Sequence, residues 1–144
     1  MCFHHRVRSG RRNVILLDTC VIIFDALAPE HLSKPATAEL DKGRKNGNLA
    51  CSDISLWEIA MLMKKERIKP DMPPRDFLTD VIAANRMRVL PITPEIAWLA
   101  NFHLELTHGD PADRMIAATA LQYKAPLITI DTVLRSIKRI TTIW

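Results

Sequence analysis

The chain has 144 residues, 48% hydrophobic and 25% charged, with a formal net charge of +4. One domain of that length buries a substantial core, and the composition is that of a soluble globular protein. No apolar run reaches the ~20 residues of a membrane helix, the opening M-C-F-H-H-R-V-R-S-G-R-R lacks an apolar signal core, and Cys2, Cys20 and Cys51 show no C-x-x-C spacing, which excludes a membrane or disulfide-framed protein and predicts reduced thiols in the cytoplasm.

Residues 1–13 carry Arg6, Arg8, Arg11 and Arg12 and read as a basic N-terminal extension, either a disordered arm or the product of an upstream start. Residues 14–144 read as a single domain. V-I-L-L-D at 14–18 suits a buried strand, and a helix over 20–28 stops before Pro29. A helix is predicted over 35–46 with Gly47 as its C-cap, then a short strand over 48–51. Leu56, Ile59, Ala60 and Met63 stand at helical spacing in S-D-I-S-L-W-E-I-A-M-L-M-K-K. A helix over 74–85 leads to a strand over 88–92. Thr93-Pro94-Glu95 starts a helix that runs to about Leu106, and Asp110-Pro111 starts another that runs to about Tyr123. The last apolar strand covers 127–130 and ends at Asp131. Short apolar strands alternating with helices of about three turns predict an α/β domain on a mainly parallel sheet.

In such sheets, sites form beyond the carboxyl ends of the strands. Asp18 and Asp131 close two of these strands, while Glu58 and Asp113 fall near the starts of two helices. Each has an ordinary structural role to offer. Asp18 and Asp131 are positioned to cap the helices that follow, and Asp113 suits a helix dipole. Glu58 lies three residues after Ser55 in a capping-box pattern, which taken alone favours a cap partner over a ligand. Asp110 is the natural cap before Pro111. Their joint placement on one edge of a sheet is what points to chemistry. Clustered carboxylates repel one another unless cations join them, and hard oxygen ligands suit Mg²⁺ or Mn²⁺. Two such ions serve phosphodiester hydrolysis.

Four stretches, L-L-D-T-C-V-I-I, S-D-I-S-L-W-E-I-A, D-P-A-D-R-M-I-A-A-T-A-L and A-P-L-I-T-I-D, resemble in this order the four motifs of PIN domains. They are most similar to the branch of VapC-like toxins of toxin–antitoxin pairs. The resemblance spans residues 14–131. It implies a three-layer α/β/α sandwich with a central, mainly parallel sheet. It also implies a metal-dependent endoribonuclease whose Mg²⁺ or Mn²⁺ is held by Asp18, Glu58, Asp113 and Asp131. Thr19 and Thr129 are the neighbours expected beside the first and last of these. Asp110 belongs to a D-P-x-D-R variant and is expected to cap, and Arg114 to pair with a carboxylate or a phosphate. The implied partners are an RNA substrate such as tRNA or rRNA, a small antitoxin protein and a second copy of the chain.

The remaining residues are ordinary. His103 and His108 read as helix-surface or helix-end residues, and Trp57, Trp98 and Trp144 as packing or interface groups. Lys64, Lys65 and Arg67 end a helix where cations suit the dipole, and they are also reasonable phosphate contacts. A phosphatase of the haloacid dehalogenase type would need a second aspartate two places after Asp18, where Cys20 stands. The non-enzymatic alternative is a degenerate PIN-like module that binds RNA or protein without cutting.

Overall fold

The computed structural model describes residues 13–104 and 109–144. The expected basic extension, apart from Asn13, lies outside the described residues, as do Leu106 and His108. Five strands and seven helices alternate along the described chain: β1 Ile15–Leu17, α1 Thr19–Leu27, α2 Lys34–Asn46, β2 Leu49–Ser52, α3 Asp53–Lys64, α4 Pro74–Ala84, β3 Arg88–Leu90, α5 Pro94–Phe102, α6 Pro111–Tyr123, β4 Leu127–Ile128, α7 Thr132–Arg135 and β5 Thr142–Ile143. A 3₁₀ turn at Pro29–His31 joins α1 to the α2 region.

The strands form one sheet in the order β3-β2-β1-β4-β5, with every neighbouring pair parallel. β1 is central: Leu16 pairs with Ala50 of β2 on one side and with Leu127 of β4 on the other. The chain first builds outward from β1 through β2 and β3, then returns to the far side of β1 as β4 and β5. The crevice between β1 and β4 at the carboxyl edge is therefore the topological switch point, where open α/β sheets bind ligands.

The uninterrupted apolar run of β1 follows from burial on both faces. Ile15 and Leu17 join a core layer with Val21, Ile22, Leu40 and Ile59. Val14 and Leu16 join the opposite layer with Ile116, Ala117, Leu127 and Leu134. Helices α1 to α4 thus cover one face and α6 and α7 the other. Helix α5 packs on α6 through Ile96, Ala100 and Ala118. The three-layer α/β/α sandwich is the architecture expected.

Helix starts are set by side-chain caps. Ser33 accepts from Ala36 N at 3.1 Å, and Thr93 accepts from Ile96 N at 3.2 Å. Gly47 ends α2 in the left-handed region at φ 66°, as its place after the last helical turn required. Elsewhere the elements are shorter than their patterns. Strand β3 ends at Leu90 and not at residue 92, because Pro91 has no N–H for the ladder. Helix α5 ends at Phe102, with His103 as the C-cap and its ring 4.2 Å from that of Trp98. Strand β4 stops at Ile128, although Thr129 N still donates to Ile143 O of β5 at 3.2 Å.

Candidate active site

Asp18 leaves β1 at the carboxyl edge and caps α1, but it does so while 4% exposed. A carboxylate buried this deeply needs partners for both oxygens. Oδ1 accepts from Thr19 N at 2.8 Å, and Oδ2 accepts from the Thr129 hydroxyl at 2.7 Å. Burial raises the Asp18 pKa and the charge of Asp131 adds to that, while the two hydrogen bonds pull it down.

Thr129 does more than stand beside the last acidic residue. Its Oγ1 also accepts from Asp131 N at 3.0 Å, which ties the end of β4 to Asp18 across the switch point. Asp131 then caps α7, accepting from Val133 N at 2.8 Å and Leu134 N at 3.2 Å.

Glu58 reaches this edge by a different route from the one its local pattern suggests. The N-cap of α3 is Ser52, which accepts from Ile54 N at 3.2 Å. Ser55 lies inside the first turn and is buried, and Glu58 stands one turn further on, so no capping box forms. Instead Thr19 Oγ1 donates to Glu58 Oε1 at 2.5 Å and lies 2.9 Å from Ser55 Oγ. Thr19 is thus a clamp between α1 and α3, with its N–H on Asp18 and its hydroxyl on Glu58. Ser55 completes the clamp, a role the sequence offered only as a cap. Its one outward signal was a hydroxyl repeated in S-D-I-S.

Helix α6 brings the last member. Asp110 caps it, accepting from Ala112 N at 3.2 Å, and Asp113 sits in its first turn. The Asp113 pKa is pushed up to about 7, first by burial and then by the charges of Asp18, Asp131, Asp110 and Glu58. Glu58 is raised by burial, Asp110 and Asp18 against the pull of Thr19. Cys20 lies in the same field. Burial and then Asp18, Glu58, Asp113 and Asp131 push its thiol up to about 11, so it stays protonated at neutral pH. All four carboxylates thus lie within electrostatic reach of one thiol, and their negative fields overlap near the switch point. Among the described residues, however, no three such side chains converge closely enough to ligate one ion together.

Arg114 turns toward the chain that enters α6. Its Nη1 donates to Ala100 O at 3.3 Å and its Nε to Gly109 O at 3.4 Å.

An all-parallel sheet covered by helices on both faces, with carboxylates at its carboxyl edge, defines an α/β domain. The PIN domain model matches residues 15–140, and the chain belongs to the PIN domain family. It is 35% identical over 132 residues to ribonuclease VapC22 of Mycobacterium tuberculosis, which covers 90% of this chain and 98% of that protein. Two solved structures share the fold at lower identity. The crystal structure of VapBC2 from Rickettsia felis bound to a DNA fragment from their promoter superposes with a TM-score of 0.68 at 20% identity, covering 90% of this chain and 96% of that one. A toxin–antitoxin complex from Klebsiella pneumoniae gives 0.60 at 20% identity, covering 89% and 96%.

Proposed function

We propose that this protein is a metal-dependent endoribonuclease, the toxin of a toxin–antitoxin pair, with Asp18, Glu58, Asp113 and Asp131 as its catalytic carboxylates. The observation that carries the reading is the gathering of these four groups at one edge, where burial first and then the neighbouring carboxylates push Asp113 up to about 7. Like charges placed together at a switch point, with burial raising three of them, call for a cation.

The donor set is entirely hard oxygen, which suits Mg²⁺ or Mn²⁺. Since no three of the described side chains converge on one point, the fit is to a strongly hydrated ion that takes one or two carboxylates directly. Such an ion, when bound, supplies charge neutralisation at the phosphodiester and a more acidic water. The residues supply the rest. Asp18 is held in one orientation by Thr19 N and Thr129 Oγ1, and Glu58 by the Thr19 hydroxyl. Asp113 keeps its proton up to about pH 7 and releases it when positive charge enters the basin.

Kinship to ribonuclease VapC22 supports RNA as the substrate. Single-stranded loops of a structured RNA such as tRNA or rRNA are the accessible targets. The toxin–antitoxin complexes among the similar structures support an antitoxin partner. Trp98 and Phe102 on α5, 45% and 76% exposed, leave apolar area for a protein to cover, whether an antitoxin or a second copy in a homodimer.

The test is cleavage of total small RNA by the purified chain with Mg²⁺ or Mn²⁺ and with EDTA, alongside Asp18→Asn. Discrete fragments that require both the metal and Asp18 are expected. Intact RNA in every lane from folded protein would leave a PIN-like module that binds without cutting.

A further inference from the structure

A groove of about 550 Å³ runs between α3 and α6 and opens beside the carboxylates. Glu58 and Asp110 are among its lining residues, so it is continuous with the acidic edge. Its walls are apolar: Ile54, Trp57 and Met61 from α3 face Pro111 and Met115 from α6. Lys65, the C-cap of α3, lines the groove as well. It lies about 12 Å from Trp57 along the helix axis, and Lys64 and Arg67 are exposed beside it in the chain.

Trp57 is 61% exposed, which is unusual for an indole on a helix that also contributes Ile59 and Met63 to the core. Neither of the ring–ring contacts among the described residues involves it. The ring therefore offers a π-face within a largely apolar slot that carries a cation, Lys65, toward the C-terminal end of α3. A nucleotide has the matching pattern, a flat apolar base joined to an anionic phosphate. Bases stack on such rings with little regard to sequence.

We propose that this groove is a nucleotide subsite: an unpaired base next to the scissile phosphate stacks on Trp57 between Met61 and Met115, with its outer phosphate paired to Lys65. The assignment rests on the reading of the acidic edge as a ribonuclease centre. It makes Trp57 a positioning residue that holds the RNA strand and takes no part in bond breaking.

The experiment combines binding and turnover of a fluorescently labelled, mixed-sequence single-stranded oligoribonucleotide. Binding is followed by anisotropy on the full chain carrying Asp18→Asn, which keeps the RNA intact, with and without Trp57→Ala, Trp57→Phe or Lys65→Gln. Trp57→Ala is expected to weaken binding about 10-fold, and Trp57→Phe to retain most of it. Lys65→Gln is expected to weaken binding and to flatten its salt dependence. In the active chain, Trp57→Ala raises KM by a similar factor and leaves kcat within about 2-fold. Melting temperatures near that of the parent chain confirm that the exposed position does not disturb the fold.

Cleavage and binding that are both indifferent to Trp57 would overturn the subsite and leave the ribonuclease reading intact. Trp57-dependent binding by a chain that never cuts would do the reverse. A parent chain that neither binds nor cuts the RNA would end both.

Discussion

The hydroxyl of Thr129 donates to Asp18 Oδ2 at 2.7 Å, joining two residues 111 positions apart with both side chains buried. It is a side-chain bond across the switch point, beside the backbone bond from Asp18 N to Ile128 O, and it holds the first carboxylate in place from the far side. Replacing Thr129 by Val keeps the shape but strands both Asp18 Oδ2 and Asp131 N. The expected cost is about 1–3 kcal/mol of stability. Because this bond lowers the Asp18 pKa, its loss also moves the acid limb of the cleavage profile to higher pH. Denaturant melts and a pH–rate profile of Thr129→Val measure both effects, and an unmoved acid limb would count against the role given to Asp18.

Asp113 makes stability depend on pH in a direction opposite to most carboxylates. Its folded pKa of about 7 lies above its ordinary value of 3.8, so the folded state binds more protons than the unfolded one between them. Its contribution is complete below about pH 4 and is lost as pH rises through 7. Solvent screening at this half-buried position reduces the effect to on the order of 1–2 kcal/mol. Metal-free protein is expected to melt lower at pH 8 than at pH 5.5. The change should shrink in Asp113→Asn and also on addition of millimolar Mn²⁺, which binds the folded state. An equal pH slope in the wild type and in Asp113→Asn would remove Asp113 from the account.

Asp110 and Asp113 sit three residues apart at the start of α6, one as its cap and one in its first turn, and are expected to differ in their effect on cleavage. Asn caps a helix about as well as Asp, so Asp110→Asn keeps the start of α6 and should cleave within about 3-fold of the parent. Asp113→Asn removes a member of the basin and should lose on the order of 100-fold or more. Side-by-side initial rates on one RNA decide this, and comparable losses in the two variants would merge their roles.

Gly43 tests the packing beneath the site. A Cβ there would stand under 3.0 Å from Leu49 Cδ2 and Cγ, and Leu49 is fully buried in β2 opposite Ile15. Leu49 has no room to yield, so Gly43→Ala is expected to cost about 1–3 kcal/mol. Activity per folded molecule should stay unchanged. A melting temperature equal to that of the parent would show that α2 can shift away from the sheet.

Much of this was readable from local pattern. The apolar strand V-I-L-L, the cap at Gly47 and the Thr93-Pro94 and Asp110-Pro111 helix starts each carry their signal within a few residues. The placement of Asp18 at a strand end followed from the same signals, whereas Asp131 stands three residues past β4, as the cap of α7. What escaped was decided at a distance. Strand β5 is two half-buried residues whose existence depends on β4 lying beside it. The partner of Glu58 is Thr19, 39 positions earlier, and Ser52 and Ser55 compete equally for the cap of α3 until Thr19 claims one of them. The metal-ligating role proposed for the carboxylates rests on the family likeness and on the burial and repulsion that shift their titration. Local pattern alone assigned them to caps.

The position of β1 has a consequence for how activity first arises. Its two neighbours come from residues 49–52 and 127–128, so the Leu16–Leu127 pairing closes a loop across nearly the whole chain. Parallel pairings of such separation come late in folding, after local helices and shorter crossovers. Thr129 and Asp131 reach Asp18 only through that closure. A partly folded molecule with its helices and first three strands in place would carry Asp18, Glu58 and Asp113 but no finished crevice. A cell making this enzyme would then meet it as a switch thrown once, at the final step of folding, and not as a cutting activity that grows with each element formed.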